Sequence, residues 1–354
     1  MSSINKMILW ILFLGLYPGM DASARDKTDL IFLVNGDRIT GEIKQLDRGR
    51  LQVKTDSMGD ISIEWDDVER VESDYQFQFE RTDGTRVTGK IQPTPDERSI
   101  TLQAGLGEVT FQHDRVVRIS QIEDSFWERL QGSLSFGYSF TKASDVAQTN
   151  LGFRATHRTE ERAYTVDGGM IITDDQANKQ TARSDLRLDL TRFRSNRWFN
   201  SYMLGFEVND ELGLDLRSSF GAGMGRYLIQ TNTSELALIG GLAATYEDLD
   251  PVEDAPGVFT GESSQKSLEA VAGLKYAHYI FDEPTVDLTV RMFAFPSLTQ
   301  SGRTRAQLDV NLRWELIKDL FWELNYYNTF DSDPPSGAQS TNDYGVVTSV
   351  GWSF

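Results

Sequence analysis

Hydrolysis is the chemistry that the histidines, serines and carboxylates of this 354-residue chain would most simply perform. A serine hydrolase needs its histidine within hydrogen-bonding reach of the serine, and the motif His-x-Ser on one strand supplies such a pair. The three histidines read His113-Asp-Arg, His157-Arg-Thr and His278-Tyr-Ile, so none has this motif. An aspartate-based protease would have Asp174-Asp175 as its candidate pair, which we interpret as a solvated turn. We therefore expect that the chain is not an enzyme and has no catalytic residues.

Metal and cofactor sites are equally poorly supported. The chain has no cysteine, which excludes disulfides, thiolate metal sites and the lipid-carrying cysteine of a bacterial lipoprotein. The acidic run 247–254 offers oxygen ligands, but its spacing differs from that of an EF-hand, and we interpret it as a solvated loop. The glycine-rich run 221–225 lies inside a predicted strand, where small residues favour close packing or lumen space. We expect no metal and no cofactor.

The charge balance narrows the class of partner. The formal net charge is −18, from 53 acidic and 35 basic residues. Nucleic-acid binding needs a basic face against phosphate, so we expect no nucleic-acid partner. The mean hydropathy of −0.39 excludes a bundle of membrane helices. It is compatible with a membrane β-barrel, because only alternate residues of its strands face lipid.

The first 24 residues have the pattern of a signal peptide. Lys6 precedes an apolar run at residues 7–17, Pro18-Gly19 ends that run, and Ala22-Ser23-Ala24 fits a cleavage site. The apolar run is shorter than the roughly 20 residues of a transmembrane helix. The pattern predicts an exported chain that lies either free in the periplasm or in the outer membrane as a barrel.

The region after the signal peptide contains an internal repeat. Residues 35–43 (NGDRITGEI) match residues 83–91 (DGTRVTGKI) at an offset of 83 − 35 = 48. Each copy alternates around an Asn-Gly or Asp-Gly dipeptide, which accepts the positive φ of a tight hairpin turn. We predict two small five-stranded sheets that pack together, each resembling an Sm-like or SH3-like barrel.

These patterns give the domain boundaries. The predicted boundaries are a signal peptide at 1–24, a periplasmic β-domain at 25–120 with repeats at about 30–73 and 75–120, a linker at 121–129 and a barrel at 130–354.

Within the repeat domain, few residues suggest chemistry. Asp66 and Asp114 recur at the same offset of 48, and we interpret both as turn residues. His113 has no second histidine nearby, and we predict a solvated surface position. We therefore interpret the domain as a binding or scaffolding module with a periplasmic or envelope protein as its partner.

From residue 130 onward the pattern is typical of a transmembrane barrel. Apolar and polar residues alternate in segments that approach or exceed the roughly 9–11 residues of a tilted membrane strand. The connections are alternately long and short, as in outer-membrane barrels with short periplasmic turns and long external loops. We count twelve such segments, near 130–140, 148–158, 162–173, 180–192, 197–208, 215–228, 234–247, 265–279, 284–295, 303–316, 320–331 and 342–354. The predicted fold is all-β, with an antiparallel barrel of about 12 strands.

Aromatic residues mark the strand ends. Bulky amphipathic rings are typical of the membrane–water interface. The predicted periplasmic girdle contains Trp198, Trp314, Trp322, Tyr227 and Tyr279. The last strand ends in Trp352 and Phe354, which resemble the signal read by the barrel-assembly machinery.

The inward-facing rows of the predicted strands carry charges of both signs. Long side chains of opposite sign that face each other in a narrow lumen should pair, because unpaired buried charges are costly. We predict a largely occluded lumen. The lumen charges are Arg187, Asp189, Arg291, Arg313 and Glu315.

Residues 127–139 (WERLQGSLSFGYS) and 150–153 (NLGF) resemble the opening of a known family. This is the YdiY-like, salt-induced outer-membrane protein family, also called domain of unknown function 481. The resemblance covers the barrel, and the repeat domain is additional to it. It implies a barrel in the outer membrane and implies no chemistry.

Three functions remain open from the sequence. The first is a non-enzymatic outer-membrane protein, related to the envelope or to stress, with its N-terminal domain in the periplasm. The second is a channel for small solutes or ions, and the third is a barrel hydrolase with an unfamiliar site. Outer-membrane lipid and the barrel-assembly machinery are the expected partners in every case.

Overall fold

The computed structural model of the chain describes residues 26–353 with internal gaps. The gaps are at 95–97, 106, 123–125, 127–128, 142–145, 160, 176–179, 211–212, 250–251, 256–257, 261–263, 281–284, 318 and 335–340. The predicted signal peptide and Phe354 lie outside the described residues. Within the described residues, no helix is long and apolar enough to cross a membrane.

The N-terminal domain contains two stretches with the same succession of elements. A short 3-10 helix precedes the last strand of each stretch, at Trp65–Asp67 and at His113–Arg115. The first stretch contains β1 (Asp29–Leu33), β2 (Arg38–Asp47), β3 (Arg50–Lys54), β4 (Asp60–Glu64) and β5 (Val68–Glu72). The second contains β6 (Gln76–Arg81), β7 (Arg86–Gln92), β8 (Ser99–Ala104), β9 (Gly107–Gln112) and β10 (Val116–Gln121).

Strand pairing is also the same in the two stretches. The order is β5-β1-β2-β3-β4 in the first and β10-β6-β7-β8-β9 in the second, and β10 pairs with β2 to join them. At the hairpin turns, Gly36 and Gly84 have φ of +89° and +77°. This left-handed backbone favours glycine and accounts for the Asn-Gly and Asp-Gly dipeptides.

The two stretches share one apolar core, and His113 belongs to it. Its ring stacks on Trp65 with centroids 3.9 Å apart and 9° between the planes. Trp65 also donates a hydrogen bond from Nε1 to the His113 carbonyl oxygen (3.1 Å). The predicted solvated position of His113 is wrong, because the residue is 2% exposed. Asp66 and Asp114 lie in the first turns of the two 3-10 helices with exposed carboxylates.

The rest of the described chain is a closed barrel. The order around it is β11 to β17 and then β20 to β24, with antiparallel neighbours throughout. The predicted all-β fold with a twelve-stranded antiparallel barrel is confirmed. The strands are β11 (Leu130–Thr141), β12 (Val146–Arg158), β13 (Arg162–Asp175), β14 (Thr181–Phe193), β15 (Trp198–Asn209), β16 (Leu214–Gln230), β17 (Ser234–Leu249), β20 (Ser264–Ile280), β21 (Val286–Pro296), β22 (Thr304–Ile317), β23 (Leu320–Asp331) and β24 (Asn342–Ser353). A small hairpin of β18 (Val252–Ala255) and β19 (Val258–Thr260) lies in the connection between β17 and β20.

The two ends of the barrel differ in the length of their connections. At the short-turn end the connections are residues 159–161, 194–197, 231–233, 281–285 and 318–319. At the long-loop end they include 250–263, 297–303 and 332–341. The N-terminal domain contacts the short-turn end, where Arg197 donates from Nε to the Thr82 carbonyl oxygen (2.6 Å).

The period of two along each strand separates an outer from an inner face. The outer rows are apolar and exposed, as in β24, where Tyr344, Val346, Val350 and Trp352 project outward. The inner rows are polar and line a cavity of about 2240 Å³. An apolar exterior around a polar interior is the pattern of a membrane barrel.

Candidate functional site: the lumen and its two ends

The five sequence-predicted lumen charges all lie on the inner face of the barrel. Arg187, Arg291, Arg313 and Glu315 line the cavity, and Asp189 lies two residues beyond Arg187 on the same strand face. Cross-strand register places Arg187 beside Asp167, which sequence analysis did not single out. Asp167 lies on the inner face because directly paired residues of neighbouring strands point to the same face, and its partner Arg187 points inward.

At mid-height, charges from opposite walls meet. Asp167 on β13 accepts from Arg154 of the neighbouring strand (Nη2–Oδ2 3.3 Å) and from Arg291 of β21 (Nη1–Oδ2 3.3 Å). The two guanidinium groups therefore share one carboxylate oxygen. This arrangement places three charged side chains across the middle of the lumen.

At the long-loop end, a network of buried ion pairs lies inside the barrel. Arg303 donates to Glu247 (Nη1–Oε2 2.8 Å) and to Asp331 (Nη2–Oδ2 2.6 Å). The side chain of Arg303 is 0% exposed, and its two partners are almost as inaccessible. Arg217 joins Glu247 (Nε–Oε1 2.7 Å) to Glu207 (Nη1–Oε2 2.8 Å). Each charge in this network has a partner of opposite sign, which offsets the cost of removing it from water.

Two further arginines extend the network around the wall. Arg305 binds Glu269 through two hydrogen bonds (2.8 and 2.6 Å). Arg183 donates from Nη1 to Asp343 Oδ2 (2.8 Å), and Asn209 donates to the same oxygen (3.1 Å). We interpret the network of Arg183, Glu207, Arg217, Glu247, Glu269, Arg303, Arg305, Asp331 and Asp343 as a plug, called the loop-end plug below.

The position of Glu247 corrects the interpretation of run 247–254 as a solvated loop. β17 continues to Leu249, and Glu247 is on its inner row at 1% exposure. Alternation along β17 predicts an inward Glu247, because it lies two residues from Thr245, which points inward and is buried. Asp254 and its neighbours are in a region whose side chains are not described.

At the short-turn end, Glu80 of the N-terminal domain is the centre of the contact with the barrel. Its carboxylate accepts from Arg158 (3.2 Å) and Gln230 (3.1 Å) of the barrel and from Arg86 of its own domain (3.2 Å). Burial opposes ionisation, but Arg158, Arg118 and Arg86 outweigh it and lower the pKa of Glu80 to about 2. Glu80 therefore holds the two domains together as a carboxylate.

A second group of contacts lies in the same interface, connected to Glu80 through Arg118, which pairs with both Glu80 and Asp47. The Arg48 guanidinium lies over the Tyr279 ring, 4.7 Å from its centroid. Arg50 donates from Nη2 to Thr285 Oγ1 (2.7 Å), in the connection between β20 and β21. Together with the contacts of Glu80 and Thr82, these contacts extend from the end of β12 to the connection between β20 and β21.

The sequence-predicted girdle is only partly on the outer face. Trp198 and Trp314 are exposed on outward rows, and Trp322 donates from Nε1 to Thr348 Oγ1 of the same outward face (2.7 Å). Tyr227 and Tyr279 were assigned to the girdle only because they lie near strand ends, and the assignment of these two residues to the outer face is wrong. Their register places both on inner rows, where Tyr279 is buried and Tyr227 packs on Phe199.

One serine–histidine pair was missed by the motif search. Ser234 Oγ lies 2.8 Å from His278 Nδ1, and the two residues face each other on β17 and β20. The His278 ring also stacks on Tyr276, with centroids 6.5 Å apart. Among the described residues, no group of three or more histidines and carboxylates is placed to hold a metal ion.

These features define a class: a closed β-barrel with an apolar exterior, a charged lumen and a β-domain packed against one end. Residues 134–354 match the family described as "Protein of unknown function, DUF481", and the chain belongs to this family. The resemblance found in the sequence is therefore confirmed. No curated protein matches the chain.

Several solved barrel structures are similar to the chain at low identity. The β-domain of the Bordetella autotransporter BrkA has 10% identity and a TM-score of 0.34, covering 64% of this chain and 97% of that one. The translocator domain of autotransporter NalP from Neisseria meningitidis has 14% identity and a TM-score of 0.36, covering 63% and 87%. CdiB from Escherichia coli has 15% identity and a TM-score of 0.34, covering 72% and 47%.

Proposed function

We propose that the chain is a non-enzymatic outer-membrane protein of the bacterial envelope, with a barrel closed to solutes and a periplasmic N-terminal domain. The observation that carries the proposal is the loop-end plug, in which Arg303, Glu247 and Asp331 are buried and paired. A conducting pore needs a hydrated path, whereas these charged side chains are buried against one another. Ion-pair bridging at Asp167 adds a second obstruction.

The outer-membrane placement is supported by three features of the described barrel. The outer rows are apolar, the connections at one end are short, and tryptophans such as Trp198 and Trp314 are exposed near that end. The signal-peptide pattern of residues 1–24 supports export. By analogy with known barrels, we propose that the short-turn end faces the periplasm.

The N-terminal domain is proposed to be an interaction module produced by duplication. The offset of 48 residues is supported by the matching strand orders and by the stacking of Trp65 on His113. A periplasmic or envelope protein is its proposed partner, and a role under stress is the proposed context. Outer-membrane lipid and the barrel-assembly machinery are the proposed partners of the barrel.

The alternative is a channel for small solutes or ions, which the cavity of about 2240 Å³ favours. Planar-bilayer recording and liposome swelling with the full-length protein distinguish the two. We expect at most small-ion conductance and no swelling response to disaccharides. Porin-like conductance would establish the channel instead.

A separate experiment tests membrane insertion. We expect unboiled protein to migrate differently from boiled protein in detergent gels, because closed barrels resist unfolding in detergent. Equal mobility together with extraction by carbonate would contradict the whole proposal.

A further inference from the structure

The cavity extends beyond the lumen at one part of the short-turn end. Arg313 and Glu315 line it from the inner face of β22, and Trp314 and Leu316 line it from the outer face of the same strand. Leu316 and Ile317 are the last residues of β22, and Asp319 of the following connection also lines the cavity, so the cavity reaches the end of the barrel wall here. The polar lumen therefore joins the lipid-facing surface at this point.

The far wall of this opening is a polar sheet face of the N-terminal domain. Arg50, Lys54, Asp60 and Glu64 of β3 and β4 line the cavity. They are cross-strand partners in two pairs of opposite charge, Arg50 with Glu64 and Lys54 with Asp60. This face offers cationic and anionic groups side by side.

The near wall is apolar and exposed. Leu316, Ile317 and Trp352 are 53%, 64% and 51% exposed, and all three border the opening. They continue the outward rows of β22 and β24, which face lipid in a membrane barrel. An occupant would thus contact hydrocarbon-type surface on one side and paired charges on the other.

We propose that this opening, called the lipid cleft, binds a glycerophospholipid with a zwitterionic headgroup from the periplasmic leaflet. The phosphate fits the cationic Arg50 and Lys54, and the ammonium group fits Glu64 and Asp60. The acyl chains lie along Leu316, Ile317 and Trp352. Continuity of the cavity with the lipid-facing rows is what favours a lipid over a soluble solute. The inference rests on the proposed membrane location.

Native mass spectrometry of the full-length protein, equilibrated with phosphatidylethanolamine in detergent micelles, tests the cleft. We expect one lipid to stay bound to the wild type. Ile317→Ser together with Lys54→Gln should weaken the affinity for the lipid, measured by titration, about tenfold, since burial of one aliphatic side chain is itself worth roughly that factor. Exposed side chains at the cleft are chosen because their replacement leaves the buried core intact.

Matched controls separate the cleft from general lipid contact. Ile280 lies at the same end of the barrel and is 45% exposed, and Lys90 is an exposed lysine of the N-terminal domain; neither borders the cavity. Ile280→Ser with Lys90→Gln should retain wild-type binding. Equal loss in both double variants, or wild-type binding in the cleft variant, would overturn the proposal.

Two further outcomes are decisive. Glycerophosphoethanolamine, which has the headgroup without acyl chains, should not displace the lipid at equal concentration. If glycerophosphoethanolamine displaced the lipid, the cleft would bind the headgroup as a soluble solute, and the lipid proposal would be overturned. A wild-type protein with heat-modifiable mobility that retains no lipid would overturn the cleft and leave the proposed function standing.

Discussion

Arg291 of β21 and Asp167 of β13 lie on opposite walls of the barrel and meet in its middle, with Nη1 and Oδ2 3.3 Å apart. Five strands separate β13 from β21 in either direction around the barrel. An ion pair between them therefore spans the full width of the lumen. This contact shows that the lumen is bridged by side chains at mid-height, which the cavity volume alone does not reveal.

Asp167→Asn should convert this bridge into a weakly anion-selective constriction. The substitution leaves Arg154 and Arg291 close together without the carboxylate that they share, and a ring of one sign favours passage of counter-ions. We expect a small rise in conductance, with a reversal potential shifted toward that of chloride in a salt gradient across a planar bilayer.

Asp185→Asn is the control, since Asp185 also lines the cavity and loses the same charge. It should change selectivity less than Asp167→Asn does. Identical reversal potentials for the two variants would mean that the shared carboxylate has no special part in closing the lumen.

Arg303→Met should destabilise the long-loop end. The substitution removes Arg303 from the buried Glu247 and Asp331 and leaves them only Arg217, which lies 2.7 and 3.8 Å from them. Removal of one partner of a buried ion pair costs about 3–5 kcal/mol, and the remaining Arg217 places the expected loss at the lower end. We expect a lower temperature for loss of the folded gel band and a larger bilayer conductance. Arg226→Met is the control, because its guanidinium lies on the outer face over Trp198. Unchanged thermal stability in Arg303→Met would contradict the loop-end plug.

Glu80→Gln should loosen the N-terminal domain from the barrel. The substitution removes the charge that Arg158 and Arg118 neutralise, and hydrogen bonds to charged groups contribute about 1.5–3 kcal/mol each. A disulfide between Thr82→Cys and Arg197→Cys reports docking, because the chain has no other cysteine. We expect slower disulfide formation in Glu80→Gln than in the parent.

Acid should have the same effect as Glu80→Gln. The pKa of Glu80 is about 2 in the docked protein, against an ordinary value of 4.5. Of the groups that lower this pKa, Arg158 and Gln230 belong to the barrel, so docking supplies a part of the shift. That part of the stabilisation is fully present above pH 4.5 and is lost as the pH falls toward 2. Because disulfide formation needs a thiolate, docking in acid is measured by hydrogen exchange at the interface strands, and the disulfide assay is kept for neutral pH. A neutral-pH disulfide rate that is the same in Glu80→Gln and the parent would show that the contacts of Arg48 and Arg50 suffice for docking.

The sequence predicts the barrel well because each strand repeats a simple physical rule. Alternation in β14 places Arg187 and Asp189 inward without reference to any other strand. Tyr227 and Tyr279 show the limit of a prediction from depth alone, since the same alternation places them inward. Counting along their strands from Gly225 or Lys275 would have corrected both.

Docking of the N-terminal domain could not be predicted in the same way. Glu80 meets Arg158 and Gln230, which are 78 and 150 residues away in the chain. No periodicity links single charged residues at such separations. The loop-end plug is similar, because Arg303 lies in a connection, outside the alternating rows that reveal Arg305.

His113 should make the N-terminal domain less stable in mild acid. Burial, with a contribution from Arg98, lowers its pKa from 6.5 to about 4. Unfolded chains therefore take up a proton near pH 6.5, whereas the folded domain does so only near pH 4. Stability is full above pH 6.5 and falls as the pH drops through this window, by about 3 kcal/mol at 1.36 kcal/mol per pKa unit.

Hydrogen exchange of amides in β1 to β10 of the full-length protein measures this effect, after correction for the intrinsic pH dependence of exchange. His113→Phe keeps a ring against Trp65 and removes the titrating group, so its opening free energy should vary little between pH 7 and pH 4.5. His157→Phe, whose imidazole instead stacks on Phe126, should keep the wild-type pH dependence. A wild-type domain equally protected at both pH values would mean that the buried imidazole accepts its proton without opening the fold.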